Sequence, residues 1–348
     1  MTKILFLLKR KDDYHIERDS EIGLSTGLYN SASFMHEMLL DSGIDSNMSV
    51  VIDNNSIDRV VSQYKPTHVI IEALWVVPEK FQVLRQLHPN VTWIIRLHSE
   101  MPFMAGEGPA MDWICDYSNL KNVVIACNAP RMMREVQEIL KAKNPDKDWT
   151  GKVIYLPNYY PQEFKQKKLN RNKDVIDIGC FGAVRPLKNH LVQAIAAIEF
   201  ANRINKKLRF HVNAGRIEMQ GAPAVHNLKG LFQHMYEQGH ELINHEWTPR
   251  NRFLELCSQM DIGMQCNFSE TFNIVGADLV SQGIPLVGSK EIPWQSIGRC
   301  DPTESAHIVE GLTNAYNYPQ FNVRLNQWAM KQYTNKTKKI WVNYFKEN

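Results

Sequence analysis

The sequence predicts an α/β chain of two domains, each a parallel sheet covered by helices on both faces. Three observations carry that expectation. Short apolar runs rich in β-branched residues alternate with longer amphipathic stretches; the alternation breaks once, at Asn158-Tyr159-Tyr160-Pro161, and then resumes. The 348 residues also exceed the roughly 100–200 of a typical single domain. Strands that alternate with helices form right-handed βαβ units, and such crossovers lay helices over both faces of a parallel sheet.

The first domain is expected over residues 1–160. It opens on a strand at 3–8. The apolar run Ile4-Leu5-Phe6-Leu7-Leu8 is far shorter than the ~20 residues of a spanning helix, and Lys9-Arg10-Lys11 follow at once. It is therefore read as a buried strand, not a signal peptide or transmembrane segment. Further strands are expected at 48–52, 68–74, 91–97, 122–127 and 152–156, with helices at 31–40, 56–64, 78–87 and 129–141. Residues 161–174 read as a polar linker carrying Lys165, Lys167, Lys168, Arg171 and Lys173. The second domain, 175–323, restarts with a strand at 175–178, a helix at about 189–203 and a strand at 208–212. In the tail, 324–348, Leu325, Trp328, Ala329, Tyr333, Ile340, Trp341, Tyr344 and Phe345 among lysines predict one or two closing amphipathic helices.

Composition narrows the class only a little. With 44% hydrophobic and 22% charged residues the chain has the balance of a soluble globular protein, and a formal charge of +3 is too small to argue by itself for nucleic acid or an anionic membrane. The six cysteines show no CxxC or Cys/His ligand spacing, which speaks against zinc or a disulfide framework and points to a reducing, cytoplasmic setting.

Two segments carry chemistry. In Ser269-Glu270-Thr271-Phe272-Asn273-Ile274-Val275-Gly276-Ala277-Asp278, followed by Gly283-Ile284-Pro285-Leu286-Val287, two carboxylates stand eight residues apart. With Glu270 in a loop and Asp278 about two turns inside the next helix, both can face one cleft, and the first helical N–H groups can face an anion. The plain alternative is a capping Glu270 and a solvated Asp278. The second segment, Gly179-Cys180-Phe181-Gly182-Ala183-Val184-Arg185-Pro186-Leu187-Lys188-Asn189, lies between a strand and a helix. Its glycines permit a sharp turn, and Arg185 and Lys188 can place positive charge on a diphosphate leaving group. It is not a Walker A loop, because Asn189 stands where Ser or Thr would. The alternative is an ordinary βα turn with basic surface residues.

Taken in order, the two segments resemble the E-x7-E and Arg/Lys signatures of GT-B glycosyltransferases of the GT4 type. That resemblance implies two Rossmann-like domains facing across a cleft, with the C-terminal helix crossing back to the N-domain, and a retaining transfer. It implies that Glu270 binds donor-sugar hydroxyls, that Asp278 binds the nucleotide ribose, and that the N–H groups of Phe272, Asn273 and Ile274 approach sugar and diphosphate. Arg185 and Lys188, on the Gly182 turn, would neutralise the diphosphate. Asp278 replaces the family's usual Glu, and Thr271 and Asn273 its usual glycines. Gly23 and Gly27 resemble the N-domain loop facing the donor phosphates and the acceptor, or belong to a plain flexible loop. His98, after the strand ending at Leu97, would lie near the transferred sugar, or is structural. Asn213 and Gly215, and Trp247 and Thr248, fall where the family contacts phosphate and base; Leu156-Pro157-Asn158-Tyr159 resembles the turn closing the N-domain. The donor is a nucleotide sugar, with UDP the first expectation; no permanently bound cofactor is expected. No metal is expected either, since the Asp-x-Asp triplet Asp146-Lys147-Asp148 reads as a solvated loop.

Segments of the N-terminal half, Val51-Ile52-Asp53-Asn54-Asn55 and Arg96-Leu97-His98-Ser99-Glu100 among them, also resemble glycosyltransferase-like proteins of tailed phages. This makes a 5-hydroxymethylated pyrimidine in phage DNA one expected acceptor, with the linker lysines and Lys331, Lys336, Lys338 and Lys339 on backbone phosphates or simply solvated. The alternative acceptor is a glycan or lipid-linked molecule, with Trp341, Tyr344 and Phe345 at a membrane surface or packed in a core. A nucleotide-sugar epimerase and a non-catalytic sugar-nucleotide-binding protein are the rival classes.

Overall fold

The computed structural model describes residues 2–9, 26–168 and 172–347. They fall into two units. One holds the first strand, Thr26–Pro161 and the chain from Thr334 onward; the other holds Gln162–Tyr333.

The first unit runs β1 (Lys3–Lys9), α1 (Gly27–Leu40), β2 (Asp45–Val51), α2 (Ile57–Tyr64), β3 (His68–Glu72), α3 (Lys80–Leu87), β4 (Thr92–Leu97), α4 (Met101–Met104), α5 (Ala110–Asn119), β5 (Val123–Cys127), α6 (Pro130–Lys143) and β6 (Val153–Tyr155). Among the described residues these strands form one parallel sheet in the order β2-β1-β3-β4-β5-β6. Successive side chains of a strand point to opposite faces. On β1, Leu5 and Leu7 join a core with Phe81, Trp93 and Tyr117, while Ile4, Phe6 and Leu8 join another with Met35, Ile70, Ile94, Trp341 and Phe345.

Several element boundaries differ from the sequence expectation. The strand expected over 68–74 stops at Glu72 because Ala73 takes a left-handed φ of 71° and turns its N–H to Arg96 O at 3.0 Å. β2 begins at Asp45 rather than 48, since pairing with β1 runs unbroken from Lys3↔Asp45 to Lys9↔Val51 and supplies the ladder that its polar residues do not signal. The α1 helix starts at Gly27 rather than 31, where the Thr26 hydroxyl accepts from Tyr29 N–H at 3.3 Å as an N-cap. The short helices α4 and α5 were not expected; Gly106, Gly108 and Pro109 interrupt the apolar periodicity there.

The second unit runs β7 (Val175–Gly179), α7 (His190–Arg203), β8 (Lys207–Val212), α8 (Ala222–His234), β9 (Glu241–Asn244), α9 (Arg250–Gln259), β10 (Ile262–Gln265), α10 (Ile274–Ser281), β11 (Leu286–Ser289), β12 (Arg299–Cys300) and α11 (Ser305–Asn317), and the last helix, α12 (Pro319–Glu347), belongs to it up to Tyr333 and to the first unit from Thr334. Its strands form a second parallel sheet in the order β12-β11-β10-β7-β8-β9. Described residues of the segment expected as a linker bond to this unit, whereas its Arg171 lies outside the described residues. Lys165 N–H donates to Ser281 O at 2.7 Å, and Lys167 Nζ donates to Ser258 O and Met260 O, both at 2.7 Å, at the C-terminal end of α9. A cation there satisfies carbonyls the helix leaves open and complements its dipole. Lys173 pairs with Asp177 and Asp261. These two lysines therefore serve the fold instead of standing ready for backbone phosphates.

The tail is one 29-residue helix, begun by Pro319, whose missing N–H costs nothing at a helix start. Val323, Asn326, Met330, Thr334, Thr337, Trp341 and Phe345 make a continuous buried stripe at spacings of three and four. Trp341 stacks on Phe6 and donates its indole N–H to Pro157 O at 2.8 Å. Burial of Trp341 and Phe345 corrects the membrane-surface reading for those two residues: their rings are core. No helix among the described residues is long and apolar enough to cross a membrane.

Candidate functional site

The second sheet has the doubly wound Rossmann order. The chain leaves β7 towards β8 and β9 on one side, then returns to β10 and continues to β11 and β12 on the other. At such a reversal the loops after the two central strands diverge, and the crevice beyond their carboxyl ends is where open α/β sheets take ligands. The two loops here are 180–189, after β7, and 266–273, after β10. They are the two segments singled out in the sequence.

In the first loop Gly182 has φ 112°, a conformation that side-chain-bearing residues rarely adopt, and its N–H points to Asn213 Oδ1 at 3.3 Å. Val184 forms a parallel bridge to Ile217, with Val184 N–H on Arg216 O and Glu218 N–H on Val184 O, each at 2.9 Å. This short ladder sets Arg185 beside Glu218, and Arg185 Nη1 lies 3.1 Å from Glu218 Oε2. Glu218 also takes Arg216 Nη2 at 2.7 Å, and the Arg216 guanidinium sits 5.2 Å from the centre of the Trp247 ring. One helical turn, Pro186–Lys188, then presents Lys188, whose ammonium is ion-paired with Glu270 Oε1.

The second loop is tied to the first. Asn189 Nδ2 donates to Cys266 O at 3.1 Å, Phe268 N–H to Leu187 O at 2.9 Å, and Gln265 Nε2 to Phe181 O at 3.0 Å. Asn267 Nδ2 holds the same Glu270 oxygen at 2.8 Å. Asn273 takes the left-handed conformation, φ 64°, that a glycine usually supplies, and caps α10 by accepting from Gly276 N–H at 2.6 Å. Burial pushes the Lys188 ammonium below its ordinary range; Glu270 pulls it up and Arg185 adds to the fall.

Asp278 is the fifth residue of α10, just over one turn past its cap and not two turns in. It is 2% exposed and pairs with Arg250 Nη2 at 2.8 Å, which excludes the solvated alternative. Phe272 is likewise buried, against Trp294 and Tyr333, and its carbonyl accepts from Trp294 Nε1 at 2.6 Å; Ile274 opens α10. Gly215 is exposed, with open space where a Cβ would be. The Thr248 hydroxyl is buried without a partner. Thus Gly182, Arg185, Lys188, Asn213, Glu270 and Asn273 stand on the loops at the carboxyl ends of β7, β8 and β10, tied to one another or to common partners. Sequence reading missed Glu218, Arg216, Arg250, Asn267 and Gln265. The alternation Arg216-Ile217-Glu218 just after Asn213-Ala214-Gly215 was the available signal for two of them.

His98 and Gly27 belong to the first unit. His98 follows β4 and hydrogen-bonds through Nε2 to Glu72, a fully buried carboxylate that Arg96 Nη1 also holds at 3.1 Å. Arg96 continues to Asn158 Oδ1, which accepts from Ser31 Oγ at 2.8 Å. Burial would raise the Glu72 carboxyl, but Arg96 and His98 beside it hold it below its ordinary value. Burial lowers His98 despite Glu72, so near neutrality the imidazole is uncharged and donates Nε2–H to the carboxylate. A lone Glu or Arg at the end of an apolar strand is itself a sign of such a pair. Gly27 is the first residue of α1; Gly23 lies outside the described residues. Among the described residues no group of three or more His, Cys, Asp or Glu side chains is placed to hold a metal ion.

No protein-family model and no curated protein sequence matches the chain. Solved structures do. The N-terminal domain of Candida albicans trehalose-6-phosphate phosphatase is similar at TM-score 0.71 and 11% identity, over 99% of this chain and 96% of that one. Sucrose-phosphate synthase from Thermosynechococcus elongatus is similar at TM-score 0.69 and 11% identity, over 100% and 99%. The E. coli trehalose-6-phosphate protein bound with UDP-2-fluoro glucose is similar at TM-score 0.67 and 11% identity, over 99% and 97%. At such identity the likeness carries the fold alone, and the fold is the GT-B architecture of two Rossmann-like units expected from the sequence.

Proposed function

We propose that this chain is a nucleotide-sugar-dependent glycosyltransferase whose donor binds in the crevice between the loops after β7 and β10. The observation that carries the reading is the meeting there of Lys188 with Glu270 and of Arg185 with Glu218, beside the capped start of α10. In sugar transfer the bond between the anomeric carbon and the diphosphate oxygen breaks and a bond from that carbon to an acceptor hydroxyl forms. Negative charge grows on the diphosphate, and the acceptor proton ends there. Lys188 and Arg185 supply fixed positive charge for that oxygen, and the carboxylate of Glu270 suits the hydroxyls of a sugar. Asp278, held by Arg250, is assigned to the ribose side, and the N–H groups of residues 272–274 to sugar and diphosphate. UDP is the nucleotide we assign, in keeping with the UDP-sugar on the E. coli neighbour. Retention of anomeric configuration belongs to the same proposal and rests on the GT-B resemblance.

For the acceptor we favour a carbohydrate hydroxyl, in keeping with a neighbour named for sucrose-phosphate synthesis. The second reading, a hydroxymethylated pyrimidine in DNA, is favoured by the exposure of Lys331, Lys336 and Lys339 on α12. The two separate on salt: activity on DNA falls steeply as counterions are added, whereas transfer to a small glycan does not.

The test is a binding and slow-hydrolysis screen against UDP-, GDP-, ADP- and CMP-sugars with Arg185→Ala and Glu270→Ala beside the unmodified chain. Selective binding, with donor turnover reduced about 100-fold or more in both variants, is expected. Binding of no sugar nucleotide removes the reading. Interconversion of the donor without an acceptor assigns an epimerase instead.

A further inference from the structure

Glu218 is a carboxylate shared by two arginines of the candidate site. Its Oε2 lies 3.1 Å from Arg185 Nη1 and its Oε1 2.7 Å from Arg216 Nη2. A pair of guanidinium forks aimed at one anion is the arrangement by which proteins hold a phosphate. Here the anion is internal, and the backbone keeps it in place. Met219 and Gln220, directly after Glu218, both take left-handed conformations at φ 45° and 62°, which side-chain-bearing residues seldom adopt. Gly221 then passes so close to the first loop that a Cβ would lie 2.2 Å from Val184 O. The same strip of chain bonds to Val184 on both sides of Ile217.

We propose that Glu218 is a positioning residue that stands in for a donor phosphate: it neutralises Arg185 in the ligand-free protein, and the diphosphate takes its place on that guanidinium while Glu218 stays on Arg216. The proposal rests on the sugar-nucleotide reading of the crevice and adds to it a residue that the sequence did not mark. Two consequences are physical. An internal anion on Arg185 must be displaced for the donor's phosphate to pair, so it weakens nucleotide binding. And because Arg185 already has a counterion in the protein, UDP binding releases fewer salt ions than the count of cations suggests.

The experiment is calorimetric titration of UDP into the unmodified chain, Glu218→Gln, Glu218→Ala, Arg185→Ala, the double variant Arg185→Ala/Glu218→Gln, and Glu246→Gln as an exposed acid beside Trp247, at several salt concentrations. Thermal unfolding first confirms that each variant is folded; Glu218→Ala answers the question if Glu218→Gln does not fold, and the reverse. The expected result is that either Glu218 variant binds UDP about 1.5- to 5-fold more tightly, the range of a partly exposed ion pair. The salt dependence steepens, the gain vanishes when Arg185 is also removed, and Glu246→Gln has no effect. The proposal is overturned if UDP binds the unmodified chain and the Glu218 variants bind it equally or less well, or if the gain persists without Arg185. Failure of the unmodified chain to bind UDP or any other sugar nucleotide instead removes the donor-site reading itself, and the role of Glu218 with it.

Discussion

At the scale of single residues, the candidate site is a set of charges that partner one another, beside a buried histidine whose ring has no hydrogen-bond partner. His190 opens α7 directly after Asn189; it is 2% exposed, and neither ring nitrogen finds a hydrogen-bond partner. Burial, with Lys188 and Arg185 nearby, pulls its pKa from 6.5 to about 4. The folded protein therefore holds His190 neutral, while the unfolded chain takes up a proton below pH 6.5. Stability from this group is complete above pH 6.5 and lost as pH falls towards 4, a difference of about 3 kcal/mol. Urea unfolding at pH 7.5 and 4.5 checks it: His190→Leu should be less acid-sensitive than the unmodified chain by about that amount, and an unchanged pH dependence would refute the assignment. Residues of this kind show how far the sequence could be read. Arg185, Lys188 and Glu270 were legible because a glycine turn and a carboxylate pair have recognisable spacing. Arg250 and Glu72 were not, since each is defined by a partner 28 or 24 residues away, which no local pattern displays; of Glu218 only the half facing Arg216 had a local signal, and its pairing with Arg185 had none.

At the scale of elements, the loops matter more than the strands they join. Asn189 ends the first loop in a left-handed conformation, φ 56°, and its side chain fastens it to Cys266 O and to Pro302 O, the latter at 2.7 Å. Asn189→Gly keeps the conformation and loses the hydrogen bonds; Asn189→Ala loses both. Denaturant unfolding should show a cost of about 1–3 kcal/mol for glycine and about 1 kcal/mol more for alanine. Equal costs would mean that the backbone conformation contributes nothing. Elements with a clear apolar run or helical period, such as β1, β4 and α6, were readable almost to their ends. The failures have physical causes: β3 stops where Ala73 turns left-handed, α5 hides behind glycines and a proline, and β2 is a polar stretch made a strand by its neighbour's ladder.

At the scale of the whole molecule, two α/β units were legible from periodicity and one break, whereas the order of strands within each sheet was not, because pairing is non-local and leaves no period in the chain. That order decides where the chemistry sits. In the second sheet it puts the reversal between β7 and β10, and both motif-bearing loops leave from that point. The central claim, a nucleotide-sugar site in this crevice, is tested most directly by hydrogen–deuterium exchange across the full chain with and without saturating UDP. Exchange should slow in residues 180–189 and 266–278, with the neighbouring 213–218 segment following. Binding with protection confined to other segments, or no protection anywhere, would contradict it.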